Sequence, residues 1–197
     1  MNIRLYQDVK VPRPKTLSDH DVLALAYKLM HEQGPEALTF DGVSRACGLS
    51  AATLVQRFRS KAGLKQNTLL YAWDRLDEKT ARLAATIART ADGAVGFLVA
   101  LSRDYGGIEA YAEGLLVLRE DLRDPVLRAR GAAWKDRLSG ILDDCFAGVA
   151  DAPPGIGLLI ASHWQGSLLW WAFDPQGDVD RFVEDSLRRF VAAIVRS

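Results

Sequence analysis

Twelve residues, CGLSAATLVQRF from Cys47 to Phe58, carry the strongest structural signal in this chain. Gly48 lacks the Cβ that penalises a left-handed backbone, so it can end one helix abruptly. Ser50 can cap the next by accepting a hydrogen bond from the backbone two or three residues on. Between them stands Leu49, an apolar side chain able to tuck under the turn. Leu54 and Phe58, four apart, share the inward face of the following helix, which leaves Ala51, Ala52 and Gln56 facing out. The stretch predicts two short helices held across each other by a sharp turn, a helix-turn-helix.

On either side of this turn, apolar residues recur at spacings of three and four along the chain, and the alternation of a hairpin is missing. The expected fold is all-α. Before the turn, Ser18 or Asp19 can cap a helix carrying Val22, Leu25, Ala26, Leu29 and Met30 on one face, ended by Gly34 and Pro35. Thr39 can cap a second helix through Ala46. After the turn, a helix from near Lys61 continues its period past Trp73 through Leu76 and Leu83 to Ile87, linking an N-terminal head to a C-terminal body. Five further helical patterns follow, at about 92–104, 108–121, 124–147, 154–173 and 178–195.

Charge is balanced over the 197 residues but uneven along them. Residues 1–65 hold ten basic and six acidic side chains, a net +4, so the remainder carries −4. A positive head on a negative body suits a polyanion-binding head. Cys47 and Cys145 lie far apart without zinc-site spacing, which favours reduced thiols and a cytoplasmic location. No apolar run reaches the length of a membrane span, and the N-terminal residues read as a flexible basic tail over 1–17.

On a helix-turn-helix the N-terminal residues of the second helix face base edges in the DNA major groove. Gln56 is the long side chain placed to make a bidentate contact with adenine. Ser50, Thr53, Arg57 and Lys61 are placed to reach phosphates, which position without reading sequence.

The residues from Val22 to Leu64 resemble the N-terminal domain of the TetR family of transcriptional regulators. Val22, Ala26, Leu29, Met30, Gly34, Thr39, Val43, Gly48, Leu49, Ser50, Thr53, Leu54, Phe58, Lys61 and Leu64 fall on the family pattern. The resemblance implies DNA contacts from Thr39, Ser50, Ala51, Ala52, Thr53, Val55, Gln56, Arg57 and Lys61. Val55 and Arg57 depart from the family's Tyr and its following His or Tyr: one removes a hydroxyl, the other offers a cation to phosphate. Ser44 and Cys47 stand where the family has small alanines.

The resemblance further implies a DNA-binding domain over 18–65 and a helical effector-binding and dimerisation domain over 66–197. The segment from Gly155 to Phe173 is apolar nearly all round, with Leu159, Ile160, Trp164, Leu168, Leu169, Trp170 and Trp171, so it must be covered on every side. The last pattern carries an apolar stripe of Val179, Phe182, Val183, Leu187, Phe190, Val191 and Ile194. Together they suit a four-helix homodimer interface, which would place two heads to read a palindromic double-stranded operator. Tyr105, Tyr111, Trp134, His163 and Trp164 are candidates for lining a pocket for an apolar or aromatic effector.

The expected function is a ligand-responsive repressor released from its operator by that effector. The alternative is a helical ligand- or protein-binding dimer that has lost sequence-specific DNA binding. An enzyme is disfavoured, because His20, His31 and His163 have no carboxylate or nucleophile at triad or metal-site spacing. No cofactor or metal is expected.

Overall fold

A computed structural model describes residues 17–103 and 107–195, and every described element is helical. Residues 1–16 of the basic tail and Tyr105 lie outside the described residues. The helices are α1 (Asp19–Gln33), α2 (Phe40–Cys47), α3 (Ala51–Phe58), α4 (Lys61–Ala84), α5 (Ala91–Ser102), α6 (Ile108–Arg123), α7 (Pro125–Phe146), α8 (Ile156–Phe173) and α9 (Val179–Ile194). A 3-10 turn at Pro35–Ala37 joins α1 to α2.

Side-chain caps set most of the helix starts. Ser18 and Asp21 form a reciprocal capping box on α1, with the Ser18 amide and hydroxyl both donating to the Asp21 carboxylate. Those bonds hold the Asp21 carboxyl below its ordinary pKa. Thr39, Ser50, Ser60, Thr90, Asp124 and Asp178 cap α2, α3, α4, α5, α7 and α9 in turn. Helix α4 stops at Ala84, short of Ile87, and Thr90 begins α5 by accepting the Gly93 amide at 3.1 Å. Ile87 still packs against the body from the connecting turn.

Two apolar cores form. In the head, Val22, Ala26, Leu29 and Met30 of α1 meet Leu38, Val43, Leu54, Phe58, Leu64 and Leu69. Leu127, in the first turn of α7, inserts into this same core. The body core gathers Phe97, Leu98 and their neighbours on α5 with Leu138, Leu142, Ile160, Trp164, Leu168, Val183 and Leu187. Helix α5 buries residues on most of its circumference and is the central element there.

Candidate nucleic-acid interface

The turn between α2 and α3 is built from four local bonds. Gly48 has φ 75° and ψ 4°, in the left-handed region, and its amide donates to the Ser44 carbonyl at 2.8 Å. A Cβ there would meet nothing within 4 Å, so conformation rather than space calls for glycine. The Ser44 hydroxyl donates to the Leu49 carbonyl at 2.6 Å and ties α2 to the turn it precedes. Ser44, which stands where the family has a small alanine, is thus part of the turn. Ser50 Oγ accepts the Thr53 amide at 3.1 Å and shares a 2.9 Å hydrogen bond with the Thr53 hydroxyl.

Helix α3 is anchored by Leu54 and Phe58, both buried. Each such side chain contributes roughly 1.5–3 kcal/mol when taken from water. Ala52, Val55 and Gln56 face solvent, while Ala51 and Thr53 are half-buried. Val55 is an apolar side chain held 43% exposed on an otherwise well-packed head. At the rim, Thr39 Oγ1 accepts the Gly42 amide at 3.0 Å, and Lys61 opens α4 with a loose 3.9 Å approach to Glu36.

Arg57, expected from the sequence to reach phosphate, makes contacts within the head. Its Nη1 donates to the Leu17 carbonyl at 2.7 Å and to Asp19 Oδ1 at 3.2 Å. The side chain is 21% accessible and fastens α3 to the start of α1. Only the fold supplies this contact, since Leu17 and Arg57 are forty residues apart.

A polar seam joins α4 to the α6–α7 junction. Lys65 pairs with Glu120 at 3.0 Å, the Gln66 amide donates to Asp124 Oδ2 at 2.8 Å, and Trp73 Nε1 donates to Asp121 Oδ1 at 3.1 Å. Asp121 is buried, and that burial pushes its carboxyl above the ordinary carboxylate range against the pull of the Trp73 N–H. Lys65 and Gln66 hold Glu120 and Asp124 below theirs. Further along α4, Asp77 receives both Arg130 and Arg137 of α7, and Arg130 also reaches Asp74 at 2.9 Å.

The residues proposed from sequence for an effector pocket are mostly committed to the body core. Trp164 is 1% exposed and donates to the Ser102 hydroxyl at 2.8 Å. Trp134 donates to the Thr80 hydroxyl at 3.0 Å, and Tyr111 is buried. Ser102 and Thr80 each donate in turn to the carbonyl four residues back, so both bonds are backed by a helix. His163 lies between α8 and α9, with Nε2 2.9 Å from Ser186 Oγ and its ring stacked on Phe190 at 4.1 Å. No group of three or more His, Cys, Asp or Glu side chains suited to a metal occurs among the described residues, nor does any described helix have the length and apolarity to cross a membrane.

Helix α8 divides its apolar residues between two faces. Ile160, Trp164, Leu168 and Trp171 are buried, whereas Leu158, Leu159, Leu169, Trp170 and Phe173 are exposed. Trp170 and Phe173 are 69% and 75% accessible, and Phe182 of α9 adds to the exposed apolar surface.

Comparison with known proteins finds similarity in the head by sequence and over most of the chain by fold. Residues 22–66 match the family model of bacterial regulatory proteins, tetR family. No curated protein matches the chain in sequence. Among solved structures, a transcriptional regulator from Saccharomonospora viridis in complex with choline aligns with a TM-score of 0.66 and 17% identity, over 86% of this chain and 93% of its own. A protein from Mesorhizobium loti described as a TetR-family transcriptional regulator aligns at 0.64 and 18%, over 87% and 94%. The TetR family transcriptional regulator PfmR from Thermus thermophilus aligns at 0.57 and 23%, over 89% and 97%. The shared fold extends through head and body alike.

Proposed function

We propose that this chain, whose residues 22–66 match the tetR-family model and whose fold resembles that of the aligned regulators, is a ligand-responsive repressor acting as a homodimer on a palindromic operator. The observation that carries this reading is α3. Two buried side chains hold it against the head while Ala52, Val55 and Gln56 stand out on the side that a major groove would receive. Gln56 reads an adenine edge, and Val55 offers methyl groups to a thymine methyl, a contact that needs no hydroxyl. Thr39, Ser50, Thr53 and Lys61 line the rim towards the phosphates, with Ala51 close beneath the groove floor.

In this reading residues 18–65 bind DNA, and 66–197 bind the effector and dimerise. The exposed faces of α8 and α9 pair with the same faces of a second copy, since isologous contact covers one apolar patch with its own equivalent. The effector acts through the α4 seam. Whichever body arrangement it prefers fixes Lys65, Gln66 and Trp73, and with them the spacing of the two heads. Its differential affinity for the two arrangements limits how far it can release the operator.

Selection from a pool of random duplexes tests the proposal. Enrichment of a site with two inverted half-sites is the expected outcome, and a folded protein that enriches no sequence contradicts it. A thermal-shift screen of small apolar and aromatic compounds then addresses the effector, because binding to the folded state raises the melting temperature.

A further inference from the structure

Residue 59 carries the only positive φ of a non-glycine residue among those described. Arg59 follows α3 with φ 67° and ψ −48°, and the Ser60 amide donates back across it to the Phe58 carbonyl at 2.7 Å. This is the positive-φ γ-turn, a rare and strained conformation for a residue with a side chain. Glycine would adopt it freely, yet the position holds one of the head's six cations beyond the basic tail: Lys28, Arg45, Arg57, Arg59, Lys61 and Lys65.

Three features place that cation. Arg59 is exposed and directly follows the helix that carries the exposed row of Ala52, Val55 and Gln56, at the end of α3 away from its capped N-terminus. A recognition helix puts its N-terminal residues on base edges, so its far end approaches the phosphates. Ser60, which caps α4, and Lys61 follow directly and form the same rim. Arg57, the other cation at this end of α3, is turned onto Leu17 and Asp19. Among the described residues no hydrogen bond or ion pair engages the Arg59 guanidinium.

Resting on the DNA-binding reading above, we propose that Arg59 is a phosphate contact of the complex with DNA, held at the end of α3 by a strained turn that costs the free protein stability. The inference reassigns to Arg59 the charge that the sequence pattern places at Arg57.

The test compares Arg59→Gly and Arg59→Lys with the parent, using a fluorescently labelled mixed-sequence duplex titrated at several salt concentrations alongside thermal unfolding. Arg59→Gly is expected to melt about 2–4 °C higher, because glycine relieves the turn. It should nevertheless bind DNA roughly ten-fold more weakly, with a log–log salt slope shallower by about 0.9 for each head in contact. Arg59→Lys should keep the parental slope. Parental affinity and slope in Arg59→Gly overturn the inference, as does an Arg59→Lys slope as shallow as that of Arg59→Gly. A parent chain that shows no salt-dependent binding to any duplex refutes the DNA-binding reading itself, a result distinct from either.

Discussion

Helices α3 and α8 each bury one face and expose the other, but their exposed faces differ in kind. On α3 the outer row is Ala52, Val55 and Gln56, small or polar enough to sit in water and thin enough to enter a groove. On α8 it is Leu158, Leu159, Leu169, Trp170 and Phe173, a surface too large and too apolar for a solvated end state. The inner faces differ as well. Leu54 and Phe58 complete a small core that needs only that helix seated, while Trp164 anchors the body through packing and a buried N–H bond to Ser102. The outer row of α3 is therefore stable in water, whereas α8 shows an apolar surface that a second copy covers in the proposed dimer.

Breaking the inner face of α8 should have the largest effect. Trp164→Ala is expected to cost about 3–5 kcal/mol in chemical denaturation, since it opens a cavity and removes the Ser102 partner. The outer face should behave oppositely. Leu169→Glu with Trp170→Glu should leave the fold intact while each change weakens dimerisation by about 2 kcal/mol or more, read as a shift to monomer in sedimentation. Unfolding of this double variant at native dimer concentrations would place those residues in the core instead.

On the head, Gln56→Ala should lose about 1–3 kcal/mol of discrimination at one base pair of the operator and leave the others unchanged. Arg57→Ala and Lys61→Ala separate a brace from a contact. The first should lower stability by about 1 kcal/mol through loss of the Leu17 bond, with little change in salt slope. The second should flatten the slope by about 0.9 per head without changing stability. Equal slopes for the two variants would remove the distinction.

The smallest expected effect lies in the seam. Asp121 has a folded-state pKa raised by burial, so its contribution to stability is fully present below its unfolded value and is lost as pH rises through the raised one. Asp121→Asn keeps an acceptor for Trp73 and carries no buried charge. It should therefore be more stable than the parent at pH 7, by under about 1 kcal/mol, with the difference closing as pH falls towards 3.8. A difference independent of pH would show that the carboxylate is not desolvated.

The head was legible because its information is local. Ser18, Thr39 and Ser50 announce helix starts a few residues away, Gly48 announces a stop, and Leu54 and Phe58 fix a face by their spacing. Contacts across the chain were not: nothing within a few residues of Arg57 marks Leu17 as its partner. The body was legible only as helices. Trp134, Trp164 and Tyr111 have the composition of a pocket lining, and the same composition builds a core. Which it is depends on Thr80 and Ser102, more than fifty residues away from the indoles they receive. Helix α8 announced that it needed cover on every side, but apolar residues all round it cannot say which face is turned inward. Arg59 left no sequence signal, since its strain is a property of the backbone that the α3–α4 junction imposes.

Whether α3 grips DNA is decided by a mobility shift of the folded chain on the DNA flanking its own gene, run at two salt concentrations. A shifted band at low salt that weakens steeply at high salt is the predicted result. No shift at either salt, from protein shown to be folded and dimeric, would contradict it.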